Sequence, residues 1–206
     1  MRTQMAIAFA VVALAIVGCS TDSIGERPEE SPAPLSTPTG PPTVASQTAT
    51  GNGLVFIQLT DPLDEPEYYC VDVPGAGRGV RLDSDLQAHT CKPISEADDE
   101  LFTLNHPNEG QIYMEAYGLC VEAERANIGA SIRLQTCSNS PLQLFVLEND
   151  LVRLGSVVQE GLCLAVAPGF GTPTGGPSHL RRDLTLERCD IIEPTLARWS
   201  VGLFDY

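Results

Sequence analysis

Six cysteines recur in a rhythm that few folds can accommodate. They are Cys70, Cys91, Cys120, Cys137, Cys163 and Cys189. The first, third and fifth of them stand 50 and 43 residues apart, and the second, fourth and sixth 46 and 52 apart. A period of roughly 40–50 residues marks like units packed about a common axis. Six cysteines allow 15 pairings. The repeat selects one: Cys70–Cys91, Cys120–Cys137 and Cys163–Cys189. Each bond closes a loop of about 20 residues and is worth about 3 kcal/mol through the unfolded state. That contribution matters because only 6% of the chain is aromatic, which leaves few large side chains for a core. Zinc is the rival use of cysteine, but no C-x-x-C or H-x-x-x-H spacing occurs, so no metal is expected.

The flanks of the cysteines repeat as well. "YYCVDV", "YGLCVEA" and "EGLCLAV" each place the first cysteine in a short apolar strand. The segments after the second cysteines end in "DDELF", "PLQLF" and "LARW". Turn-forming Gly, Pro, Asn and Asp separate the short runs, and no stretch keeps a helical period beyond a turn or two. Four short strands per unit are expected, in an all-β domain over 52–206.

A seventh cysteine, Cys19, lies outside the repeat. Arg2 and the apolar run Met5 to Val17 have the form of a signal peptide, too short to span a bilayer comfortably. The run ends "IVGCS", which resembles the bacterial lipobox. The resemblance implies a signal peptide over 1–18, cleavage before Cys19, and acylation of Cys19 that inserts into a lipid membrane. Two or more acyl chains anchor durably where one is marginal. The other reading is an ordinary secretory signal with a chance cysteine. Ser20, not aspartate, follows Cys19, which by the resemblance directs the protein to the outer membrane of a bacterial cell envelope. Residues 19–51 are rich in Pro, Ser and Thr without an apolar period, as a disordered tether would be.

The formal net charge is −15. No basic stripe is present to displace counterions from phosphate, so a nucleic-acid partner is not expected.

The three units, with C-hydrophobic-D/E-hydrophobic openings, a second cysteine and a closing "LQLF" or "LARW", resemble the ricin B-type lectins. The resemblance implies a β-trefoil with three internal repeats, one disulfide in each, and burial of Phe102, Phe145 and Trp199. It also implies a carbohydrate-binding site in the first unit. There Asp72 would accept sugar hydroxyls, because a carboxylate takes two at once in charge-assisted bonds. Gln87, His89, Asp99 and Glu100 stand at the remaining positions, His89 where the family stacks an aromatic ring on the sugar. Two acids in place of two amides would suit an amino sugar or a calcium-bridged one.

The second unit is a weaker candidate, with Glu122, Gln135 and Gln143. The third lacks the chemistry, since Ala165 and Glu187 replace the acid and the ring. It carries an insertion, "APGFGTPTGGPSH", expected as a mobile surface loop.

Structural readings stand beside these. Asp72 can serve the Pro-Gly turn that follows it, His89 can be a bystander, and Glu96 to Glu100 can be a solvated acidic loop. "DSD" at Asp83 to Asp85 reads as a solvated turn.

The expected function is an envelope lipoprotein that binds a glycan, without cofactor or catalysis, since no catalytic constellation stands out. The alternative is a protein-interaction trefoil with partner subunits. The lipobox, tether and third unit "QEGLCLAV…LTLERCD…LARWSV" resemble the A subunit of cytolethal distending toxin.

Overall fold

A computed structural model describes residues 53–155, 161–175 and 179–204. The segments read as signal peptide, lipid-attachment cysteine and tether lie outside the described residues. Thirteen strands are present among the described residues: β1 (Phe56–Leu59), β2 (Tyr69–Asp72), β3 (Gln87–Thr90), β4 (Thr103–Leu104), β5 (Ile112–Met114), β6 (Leu119–Ala123), β7 (Ile132–Gln135), β8 (Phe145–Glu148), β9 (Leu151–Leu154), β10 (Leu162–Val166), β11 (Thr172–Pro173), β12 (Leu180–Arg188) and β13 (Trp199–Gly202). Helix is confined among these residues to single 3-10 turns, as expected where apolar residues keep no period of 3.6.

The cysteines explain the local geometry. Each first cysteine sits in the leading strand of an antiparallel hairpin, β2–β3, β6–β7 or β10–β12. Each lies opposite the residue two places before its partner: Cys70 faces His89, Cys120 faces Gln135 and Cys163 faces Glu187. The disulfides join Cys70 to Cys91, Cys120 to Cys137 and Cys163 to Cys189. The residue two places before each first cysteine has positive φ: Tyr68 at 62°, Gly118 at 67° and Gly161 at 54°. Glycine takes that conformation freely, whereas Tyr68 takes it against the steric preference of an L-residue.

The hairpins also touch in a closed cycle. Asp85 bridges to Arg133, Ser131 bridges to Thr185, and Arg181–Asp183 of β12 pairs with Gln87–His89 of β3. β1 pairs along its whole length with β13, joining the first described strand to the last. The larger of two apolar clusters among the described residues lies within. Phe102, Phe145 and Trp199 are all buried in it beside Ile57, Leu59, Val71, Leu134, Leu162 and Leu186. The Trp199 indole N–H donates to the Leu164 carbonyl at 3.0 Å, so its polar atom is satisfied inside the core.

The described part of the third unit's insertion, residues 167–175 and 179, is braced by specific contacts. Its Thr172–Pro173 segment pairs with Leu180–Arg181. Gly171 N–H donates to Asp64 at 2.7 Å, and Arg182 donates to Asp64 and to the carbonyls of Ala167 and Gly169. A Cβ at Gly171 would run into the Tyr69 hydroxyl, so the close approach needs glycine. The cause is a buried cation: Arg182 is 5% exposed and must find acceptors, and the loop backbone supplies them.

Candidate functional site

Alternation along the first hairpin puts Cys70 and Asp72 on one face of β2, and Gln87 and His89 on the same face of β3. Asp72 lies directly opposite Gln87, whose Nε2 donates to Asp72 Oδ2 at 2.6 Å. After Cys91 the chain turns through Ile94–Glu96 and returns beneath the hairpin, where Val73 N–H donates to the Asp99 carbonyl at 3.0 Å. Asp72, Gln87, His89, Asp99 and Glu100 are thereby brought together, and all five are buried.

At their centre is a residue absent from the expected set. Lys92 Nζ lies 2.8 Å from Asp72 Oδ1, 2.8 Å from Asp99 Oδ1 and 3.3 Å from Glu100 Oε1. The contact with Asp72 is also an aligned hydrogen bond. Asp99 Oδ1 and Glu100 Oε1 receive no aligned hydrogen bond among the described residues, so the ammonium holds them as ion pairs. Glu100 Oε2 accepts from the Lys92 backbone N–H at 3.0 Å. Lys92 is the chain's only lysine, beside 11 arginines. That was the available signal: three acids brought into a dry hairpin base require a cation, and the lysine follows the second cysteine directly.

The electrostatics follow from burial. Removal from water pushes Asp72 up to about 7, against the pull of Lys92 and Gln87. Burial likewise raises Glu100 to about 8, with Lys92 opposing. Burial disfavours charge on Lys92 too, but Asp72 and Glu100 overcome it and hold the ammonium above its ordinary value. Burial lowers His89.

His89 does not present a free ring face. Its Nδ1 donates to the Thr90 carbonyl at 3.0 Å, and Nε2 lies 3.0 Å from Thr174 Oγ1. His179 meets it edge-on with ring centroids 5.7 Å apart. The insertion of the third unit therefore covers the expected stacking position. The acidic run also departs from a solvated loop: Glu96 and Asp98 are exposed, but Asp99 and Glu100 are buried. Asp72 is engaged by Gln87 and Lys92, in place of the turn after it.

Ligand atoms of Asp72, His89 and Glu100 lie within 4.8 Å of one another, close enough for a metal. The donor set does not suit one. The Lys92 ammonium stands within hydrogen-bonding reach of the two carboxylates, and His89 Nδ1 carries the hydrogen it gives to Thr90.

In the second unit Gln143 is fully buried and its amide is fully used. Nε2 donates to Glu122 Oε2 and to the Thr136 carbonyl, each at 2.9 Å. Oε1 accepts from Ser138 N–H at 2.8 Å and from Gln111 at 3.0 Å. No bonding capacity is left for a ligand. Glu122 and Gln135 are half-buried on β6 and β7. In the third unit Ala165 is fully buried and Glu187 accepts from Thr185.

No protein-family model matches the chain, and no curated protein matches it in sequence. Solved structures do match in fold. The β-trefoil lectin of the Vibrio vulnificus hemolysin/cytolysin, solved with N-acetyl-D-lactosamine bound, is 16% identical with a TM-score of 0.50, covering 74% of this chain and 96% of that one. A mutant earthworm lectin C-terminal domain in complex with 6'-sialyllactose is 13% identical with a TM-score of 0.51, covering 72% and 97%. The Haemophilus ducreyi cytolethal distending toxin is 20% identical over 72% of this chain and 82% of that one, at a looser TM-score of 0.47. The likeness shows the fold, that of the β-trefoil lectins.

Proposed function

We propose that residues 52–206 form a carbohydrate-binding β-trefoil of three repeats with one disulfide in each, and that its principal sugar site is the base of the first hairpin. The domain binds and does not catalyse. Acylated Cys19 and the 19–51 tether would hold it on a bacterial envelope, where many copies compensate for a weak single site. One observation carries the reading: Asp72, held in place by Gln87 across the hairpin, and Asp99 and Glu100 from the returning segment converge on a single point. Such a fixed set of acceptors lowers the ordering cost of gripping hydroxyls. A sugar entering there must take the place of the Lys92 ammonium. The test is a glycan array probed with the purified chain and with Asp72→Asn. Binding by the wild type that falls at least about tenfold in the variant supports the site. Equal binding by both moves the site elsewhere.

A protein-interaction trefoil has one observation of its own in its favour. Phe170 is 92% exposed, yet the insertion that displays it is tied down at Gly169 and Gly171 by Arg182 and Asp64. The same network leaves the Asp64 carboxyl at about 2, because hydrogen bonds from Arg182, Gly171 and Tyr69 outweigh the burial that pushes it up. A large aromatic held out on a braced loop has the makings of an interface anchor. Capture of a partner from envelope extract that is lost in Phe170→Ala, with glycan binding intact, would favour this second reading.

A further inference from the structure

We infer that the ligand of the first-hairpin site carries a primary ammonium, so that the sugars it takes are amino sugars with a free amine, entering by exchange with Lys92. The inference rests on the proposed site and names the class of sugar bound there.

The geometry is that of a socket for one compact cation. Three carboxylates, that of Asp72 on β2 and those of the consecutive Asp99 and Glu100 on the returning segment, face one Nζ at 2.8, 2.8 and 3.3 Å. The chain uses arginine for every other fixed cation and lysine only here. An ammonium is a point charge with three rotatable donors, whereas a guanidinium is a flat fork. Three oxygens converging on one nitrogen suit the first and exclude the second.

Two of those oxygens, Asp99 Oδ1 and Glu100 Oε1, are buried without an aligned hydrogen bond, on side chains 7% and 0% exposed. The socket therefore keeps acceptor capacity that a better-oriented ammonium would use. Lys92 is also the least enclosed member, its side chain 18% exposed against 1% for Asp72 and 10% for His89. It is the one that can swing into water without unmaking the hairpin.

The exchange has a charge condition. A neutral sugar that displaced Lys92 would leave the buried acids without a cation, so that each must hold a proton or face another carboxylate, and either is unfavourable beside a returned ammonium. A sugar bearing an ammonium returns the same charge to the same place, and its ring hydroxyls add donors and acceptors that lysine lacks. Lys92 is thus a built-in competitor that sets specificity by charge.

The single lysine supplies the test. The full chain, grown with isotope-labelled lysine, gives one side-chain signal by nuclear magnetic resonance. It is titrated with glucosamine and galactosamine, and in parallel with N-acetylglucosamine, N-acetylgalactosamine and galactose. The expected result is that the amino sugars carry the Lys92 signal to the position of free lysine while the neutral sugars leave it unmoved. Folded Lys92→Met should bind the amino sugars about tenfold more tightly, because the internal competitor is gone. Neutral sugars that bind as well as amino sugars, and lose binding in Asp72→Asn, would leave the sugar site standing and overturn the ammonium inference. An absence of binding by every sugar, charged or neutral, in both wild type and Lys92→Met would overturn both.

Discussion

The first and second hairpins solve the same problem with opposite chemistry. In both, the residue after the second cysteine donates its backbone N–H to a buried side chain returning beneath the hairpin. Ser138 does so to Gln143 at 2.8 Å, and Lys92 does so to Glu100 at 3.0 Å. The same buried side chains approach the acid on the leading strand: Gln143 donates directly to Glu122, while Glu100 and Asp72 are joined through the lysine ammonium. An amide brings its own donor and its own acceptor, so Gln143 meets Glu122 directly with no cation between them. A carboxylate brings only acceptors, so the first unit must import a cation or hold protons. One atom's difference between glutamine and glutamate thus separates a closed structural knot from an electrostatic socket. The frame stays common, and the chemistry differs between units.

The comparison breaks most visibly at the residue after the second cysteine. Lys92→Ala should destabilise the domain by about 3–5 kcal/mol at pH 8, because it strands buried carboxylates. Ser138→Ala, which keeps the backbone N–H, should stay within about 0.5 kcal/mol. Chemical denaturation of the two variants side by side measures this. Equal losses would mean that the socket holds no special electrostatic role.

A smaller effect sharpens the same contrast through pH. Asp72 and Glu100 are raised to about 7 and about 8, so the folded state keeps protons that the unfolded chain sheds above its ordinary carboxylate values near 4. Stability contributed by those protons is present at pH 4–5 and is lost as pH climbs through 7 and 8. Thermal unfolding should therefore occur at lower temperature at pH 9 than at pH 5. Glu100→Gln, which copies the second unit, should flatten that slope and recover about 1–2 kcal/mol at pH 9. An unchanged slope would show that Glu100 is ionised throughout and that the likeness to Gln143 is only one of shape.

The smallest effect concerns the hairpin entry. Tyr68 holds positive φ where Gly118 and Gly161 stand in the other units. Tyr68→Gly relieves that strain and loses the partial packing of the side chain against the small cluster of Phe56, Cys70, Cys91, Ala97 and Leu101. The balance should lie within about 1 kcal/mol, on the stabilising side. Denaturant midpoints decide it. A clear loss would mean that the ring's packing outweighs the backbone term.

Much of the frame was legible because it is local. The cysteine spacing named the pairing that the structure contains, and the closing aromatics Phe102, Phe145 and Trp199 lie in the core. Strand segments and hairpin partners follow from short-range alternation and from the loop a disulfide can close. The convergence of Asp72, Gln87, His89, Asp99 and Glu100 was legible too, through their positions relative to Cys70 and Cys91. Lys92 was missed because a lysine beside acids is ordinarily a surface charge, and only burial turns it into a counterion. The cover over His89 was missed because Thr174 and His179 lie about ninety residues further along the chain. No spacing rule reaches that far.

The amino-acid sequence alone determined what depends on neighbours: an all-β chain, its hairpins, its disulfides and the residues that share a hairpin face. Tertiary structure alone decided which of those faces is dry, which acids share one cation, and which loop from the third unit lies across the first. Burial and long-range contact are properties of the packed domain, and a carboxylate's chemistry is set by the water around it as much as by its place in the chain.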